Sequence, residues 1–219
     1  MPLTVYDYRT DVRNVVITPE IRSRFMRLEP GAFAARHSHD LGHEVFLVME
    51  GQAEFEIDGE RAVLGPGQMC FARADQMHQV RTVGDTPMTL YLSVTPHIEP
   101  THTRWDDHGQ KLPPQYGTAT VTERANRPGS GQPPAALVDQ HRTAAKALAA
   151  AAAANHAAQE REAAVLRPAL ATGDEHAAKA AVDAMWQQLY LTYKSFQALE
   201  ASWNELTTLV SEPPSRPGE

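Results

Sequence analysis

The sequence predicts an α+β fold, mainly β, in two parts: a barrel or sandwich of short strands over residues 1–104, followed by a long C-terminal α-helical hairpin. Three observations carry this. Short apolar runs alternate with turn signals up to about residue 104. Between 105 and 133 both strand and helix periodicities vanish, and "KLPPQYG" and "NRPGSGQPP" have linker composition. From there alanine dominates, and large apolar residues then recur at steps of three and four. The expected divisions are 1–104 for the β part, 105–133 for a Pro/Gly-rich linker, 134–212 for the hairpin and 213–219 for a disordered tail.

In chain order, "RFMRLEPGAF", "EVFLVMEGQAEFEIDGE", "AVLGPGQMCFARADQMHQV" and "TPMTLYLSVTP" each read as strands closed by turns. In "AEFEID" the alternation is strict: Ala53, Phe55 and Ile57 share one face, and Glu54, Glu56 and Asp58 the other, as in a half-buried strand. Asp58-Gly59 suits a two-residue hairpin, and Gly65-Pro66-Gly67 stops any element passing through it. Residues 135–167 form an alanine-rich helix, with six alanines from Ala149 to Ala154, and Pro168 and Thr172-Gly173-Asp174 interrupt it. A second helix runs from about Asp174 to Ser211. Its seam is Val182, Met185, Leu189, Thr192, Phe196, Leu199, Trp203, Leu206 and Val210.

Composition limits function. A 219-residue chain can build a sizeable core, and a single cysteine, Cys70, excludes an internal disulfide framework and a cysteine-based zinc site. Any metal would take nitrogen and oxygen ligands, and a reducing, cytoplasmic setting is expected. The net charge of -7, with acids and bases interspersed, offers no basic stripe for nucleic acid. The amino terminus reads as no leader, and nowhere do eighteen apolar residues run together, so no membrane partner is expected.

The chemistry concentrates in "GAFAARHSHDLGHEVFLVMEG", residues 31–51. On a strand His37 and His39 point together, whereas the neighbours His43 and Glu44 point apart, so only one of the latter can join them. Glu44 shares its face with Phe46 and Val48, and His43 shares its face with Val45 and Leu47. Both sets are apolar, and alternation leaves the choice open.

The same residues fit G-x5-H-x-H-x4-E-x6-G at Gly31, His37, His39, Glu44 and Gly51, which resembles the first motif of the cupin superfamily of small jelly-roll barrels. Residues 67–82 resemble the second motif in part. Gly67 and His78 fall in place, while Arg73, Asp75 and Thr82 stand where proline, glycine and asparagine are usual. Asp75 can adopt the left-handed turn that glycine would supply. The resemblance covers about the first 100 residues and implies a cupin-type jelly-roll β-barrel. It further implies one divalent transition metal (Fe, Mn, Ni, Co or Zn) held by His37, His39, Glu44 and His78, with His43 replacing Glu44 as the alternative. The activity it implies is a dioxygenase, isomerase or lyase acting on a small molecule, or a barrel that binds or senses a small ligand without turnover.

Other residues have plainer readings. His97, His102 and His108 lie in a loop-like stretch and are expected to face solvent. Cys70 reads as a small buried hydrophobe, and Arg73 as a solvated turn residue rather than an anion site. Trp186, Tyr190, Tyr193, Phe196 and Trp203 form a packing surface, not a cofactor box. The second helix would measure about 57 Å against about 34 Å for a 100-residue barrel, so it must overhang. Its apolar stripe is also wider than one partner helix covers, and the tail is expected to make the protein a homodimer.

Overall fold

A computed structural model describes residues 3–117 and 131–211. Part of the expected linker, 118–130, and the whole expected tail, 213–219, lie outside the described residues. The chain divides into two compact units, one built on the strands and one spanning Gly131–Leu206.

Among the described residues the first unit has nine strands: β1 (Asn14–Ile17), β2 (Arg22–Leu28), β3 (Phe33–His37), β4 (His43–Glu50), β5 (Ala53–Ile57), β6 (Glu60–Leu64), β7 (Met69–Ala72), β8 (His78–Thr82) and β9 (Met88–Thr95). They form two antiparallel sheets of the jelly-roll type, ordered β1-β2-β9-β4-β7 and β3-β8-β5-β6. Between them lie Phe46, Val48, Phe55, Val80, Met88, Leu90 and Leu92, all buried. Burying each such large apolar side chain contributes about 1.5–3 kcal/mol before the cost of ordering it.

Local chemistry explains the strand ends. Asp58 and Gly59 take positive φ values of 49° and 85° and close the β5–β6 hairpin. Along β5, Ala53 and Phe55 turn inward, while Glu54 and Glu56 face the arginines Arg81 and Arg61 at 2.5 Å and 2.7 Å. Asp75 does supply a left-handed residue in the second motif (φ 65°), and its N–H donates to His39 O at 2.7 Å. That bond ties the turn to the histidine-bearing segment.

Register then sets the site. Arg22 opposes Val94, Val94 opposes Glu44, and Glu44 opposes Ala72, so one row crosses β2, β9, β4 and β7 with all four side chains on one face. The row two residues further along holds Arg24, Leu92, Phe46 and Cys70. Glu44 thus enters the barrel on the same face as the apolar core.

The second unit is built on α1 (Pro134–Thr172) and α2 (Glu175–Thr207); a 3-10 turn over Thr208–Val210 follows α2 in the chain. The helices run antiparallel. His141 Nδ1 meets Ser202 Oγ at 3.0 Å, Thr192 Oγ1 donates to Ala151 O at 3.2 Å, and Gln159 Nε2 donates to Met185 O at 3.1 Å. Gly173 (φ 72°) ends α1, and Asp174 Oδ1 caps α2 through the Ala177 N–H at 3.0 Å.

Two expectations need correction here. Pro168 lies within α1, which continues to Thr172. The carbonyl that proline leaves unpaired belongs to exposed Ala164, where water can serve it. Only part of the expected seam is covered: Met185, Thr192, Leu199, Trp203 and Leu206 are half-buried, while the fully buried Ala181 and Ser202 lie beside it. Val182, Trp186, Leu189, Tyr193 and Phe196 remain 39–56% exposed. Alanine faces approach small residues most closely, which leaves these large ones outward. Among the described residues no helix is long and apolar enough to cross a membrane.

Candidate metal centre

His37 ends β3, His39 follows it in the β3–β4 connection, Glu44 is the second residue of β4, and His78 opens β8. His37 and His78 are cross-strand partners, after an irregularity in β3 that re-aims the histidine. One potential ligand atom from each of the four lies within 4.8 Å of the others. Glu44 Oε2 stands 2.9 Å from Nε2 of both His39 and His78, and 3.9 Å from His37 Nε2. The imidazole centroids of His37, His39 and His78 are 4.4–5.3 Å apart.

The far side of every ring is already engaged. His37 Nδ1 lies 2.7 Å from Ala35 O, His78 Nδ1 lies 2.9 Å from Gln76 O, and His39 Nδ1 meets Thr101 O. A carbonyl only accepts, so each Nδ1 carries the proton and donates. Each Nε2 then faces the centre, where those of His39 and His78 hydrogen-bond Glu44 Oε2. Three imidazole nitrogens and a carboxylate oxygen converge in a buried space, held together by protons that a shared cation can replace.

Electrostatics bear on which. Burial and the neighbouring His78 push His37 down to about 4, so this ring is neutral near pH 7. Burial works against ionisation of Glu44, but its contacts with His39 and His78 and the charge of Arg22 outweigh it and hold the carboxyl well below its usual range. A carboxylate beside imidazole nitrogens is the donor set of a divalent transition ion. The residues present fit such an ion.

His43 is not brought to this group. It is exposed, and its Nδ1 accepts the Ala74 N–H at 2.9 Å.

Two histidines expected in solvent are instead inside. His97 is 1% exposed, and the His102 ring packs 4.8 Å from His37 and 5.0 Å from His39. Burial first, then the charge of Arg22, drives both down, His97 to about 3 and His102 well below its usual value. The cause is a strap after β9 that returns along the β3–β4 connection. Ser38 and Thr103 exchange both backbone hydrogen bonds (3.1 and 2.8 Å), and Trp105 Nε1 donates to Ser38 Oγ at 3.1 Å. Trp105 also pairs with Lys111 across a turn, so ordered structure continues into the stretch read as linker. Only His108 of the three is exposed.

Sequence reasoning also missed Arg22, 3% exposed and 3.8 Å from Glu44 Oε1 through Nη2. A signal existed: Met26 and Leu28 pack on the core, and counting back by twos puts Arg24 and Arg22 on that face. Cys70 is half-buried with its thiol pushed up to about 11 by burial, and exposed Arg73 lies 6.0 Å over the Phe71 ring. Neither touches the centre.

Residues 24–95 match the family model described as the cupin domain. An oxalate-binding protein of Thermotoga maritima is 25% identical over 63 residues, 29% of this chain and 52% of that protein. Polyketide synthase CurC of Streptomyces cyaneus is 31% identical over 91 residues, 39% of this chain and 59% of that protein. The chain therefore spans only between half and three-fifths of these curated relatives. Among solved structures, a conserved protein with a double-stranded β-helix domain from Klebsiella pneumoniae is similar at 23% identity. Its TM-score is 0.41, over 43% of this chain and 91% of that one. The strand-built part of this chain, over residues 24–95, is a cupin domain.

Proposed function

We propose that this protein binds one divalent transition ion, iron, manganese, nickel, cobalt or zinc, through His37, His39, Glu44 and His78, and that the site takes up a small molecule inside the barrel. The observation that carries this is the tautomer pattern. With every Nδ1 proton spent on a backbone carbonyl, the three Nε2 atoms turn to Glu44 Oε2, 2.9 Å from two of them, where one cation would be shared by all four side chains.

A bound ion would supply Lewis-acid polarisation of substrate oxygens, and with iron, redox chemistry. The chain's own residues do the rest. The carbonyls of Ala35, Gln76 and Thr101 fix the three rings, and Phe46, 5.7 Å from the His78 ring, gives the cavity an apolar wall that excludes water. On this reading the protein is an enzyme of the dioxygenase, isomerase or lyase type. A second reading, a binding or sensing barrel without turnover, draws support from the Thermotoga maritima relative, which is named for binding. A reducing, cytoplasmic setting fits the single cysteine.

The exposed face of α2 is the proposed homodimer contact, since Val182, Trp186, Leu189, Tyr193 and Phe196 repeat at steps of four and three over four turns. Elemental analysis tests the central claim. Protein incubated with each of the five ions and desalted is expected to retain close to one per chain. A barrel that retains none of them removes the metal and the metallo-enzyme with it.

A further inference from the structure

Arg22 is a buried guanidinium with almost nothing to bind. It is 3% exposed, its Nε has no hydrogen-bond partner, and Nη2 stands 3.8 Å from Glu44 Oε1, beyond hydrogen-bond reach. Arg24, two residues along the same inward face, also has a buried Nε without a partner. A guanidinium has five donors in a planar fork, and burying them unmet is costly.

The orientation is informative. Glu44 turns Oε2 to the imidazoles and Oε1 toward Arg22, so one carboxylate stands between the arginine and the rings. The charges also fail to balance once an ion enters. Glu44 and Glu99 are the acids acting on Arg22, and both are buried. Against them stand Arg22 and Arg24. A divalent ion then leaves two positive charges in excess in a space that excludes water, and the buried histidines contribute no negative charge. A bound anion restores the balance, and a carboxylate matches the fork of a guanidinium with two coplanar oxygens.

We propose that Arg22 is the recognition group for a small carboxylate ligand, held between its guanidinium and the ion bound by His37, His39, Glu44 and His78. This rests on the metal-binding reading above. The ligand enters beside His37, whose side chain at 18% exposure is the most open of the four.

The test uses acetate as probe, acetamide as its neutral counterpart and phosphate as the other oxyanion, with full-length protein in metal-loaded and metal-free forms. Binding is read by calorimetry, and metal content is measured separately on each sample. Wild type is expected to bind acetate in preference to acetamide and phosphate. Arg22→Met should weaken acetate binding about 10- to 100-fold while keeping its metal. Arg22→Lys keeps the charge and the fold but loses the fork, so it should bind with intermediate affinity, and it decides the matter if Arg22→Met does not fold. Acetate binding unchanged in Arg22→Met or Arg22→Lys, no acetate binding by wild type, or a preference for phosphate each overturns the proposal. Loss of metal from Arg22→Met with acetate affinity intact would make Arg22 a positioning residue for Glu44 instead. Wild type that holds no metal ends the metal reading, and Arg22 is then judged by the metal-free acetate titration alone.

Discussion

Replacing Glu44 and its neighbour His43 separately tests the centre and its register together. Glu44 is 2% exposed, with Oε2 at 2.9 Å from two imidazole nitrogens and Oε1 at 3.8 Å from the Arg22 guanidinium. At an effective dielectric constant of about 20, the pair with Arg22 is worth about 4 kcal/mol of Coulomb energy, part of which offsets the burial of both charges. Glu44→Ala therefore leaves a buried cation unpaired and should destabilise the metal-free protein by about 3–5 kcal/mol. Substitutions around a metal's ligands typically cost 10- to 100-fold in affinity, so removing a ligating carboxylate should cost more than about 100-fold. Glu44→Gln keeps the shape and an acceptor, and isolates the charge. His43 is exposed, and its one bond to the Ala74 N–H is worth about 1 kcal/mol, so His43→Ala should lose that much stability and no metal affinity. Competition with a chromophoric chelator gives the affinities, and urea denaturation gives the stabilities. Metal retained in Glu44→Ala but lost in His43→Ala would refute the placement of β4 on which the whole site depends.

Acid should unfold the metal-free protein early. His37 and His97 are held below 6.5, at about 4 and about 3, so the unfolded chain takes up protons that the folded one refuses. Their stability contribution is complete above about pH 6.5 and is lost as pH falls toward those values. His37 alone accounts for about 3 kcal/mol. Urea midpoints that stay flat from pH 7 to pH 4.5 would contradict this. Gly51→Ala should be severe: a Cβ there would sit 2.4 Å from Pro87 O and 2.8 Å from Met88 Cα, on a backbone with φ +69°. Gly59→Ala, at φ +85° with nothing within 4 Å, should lose only the left-handed backbone term of about 1–2 kcal/mol. Equal urea midpoints for the two variants would show that the β4–β5 turn yields. Trp186→Glu combined with Tyr193→Lys should convert a dimer to monomer in light scattering without loss of helix by circular dichroism. A wild type that is already monomeric removes the dimer contact.

How much of this was legible in the sequence follows from where each signal resides. The β5 strand and its Asp58-Gly59 turn could be read because alternation and turn chemistry are local, and both reappear in the fold. The spacing of Gly31, His37, His39, Glu44 and Gly51 could be read because a motif spans only 21 residues. Strand alternation alone could not choose between His43 and Glu44, which the motif spacing favoured, since both neighbours sit in an apolar strand and pairing with β9 and β7 says which face is inward. His97 and His102 were misread for a related reason. A segment with neither helical nor strand period looks solvated, and its burial comes from bonds to Ser38 and His39, some sixty residues earlier. Arg22 is the most instructive omission. A charged residue at a strand start is ordinarily assigned to solvent, because burying it unpaired is costly. The fold buries it nonetheless, in the row of Glu44, and two such departures in one cavity share a cause. On the proposed reading, a site that would gather a cation against Glu44 and three imidazole nitrogens, with Arg22 as a second, fixed cation beside them, asks for a negative charge that its own side chains do not supply. The residues that looked least suited to a core are therefore the ones on which the proposed ligand rests.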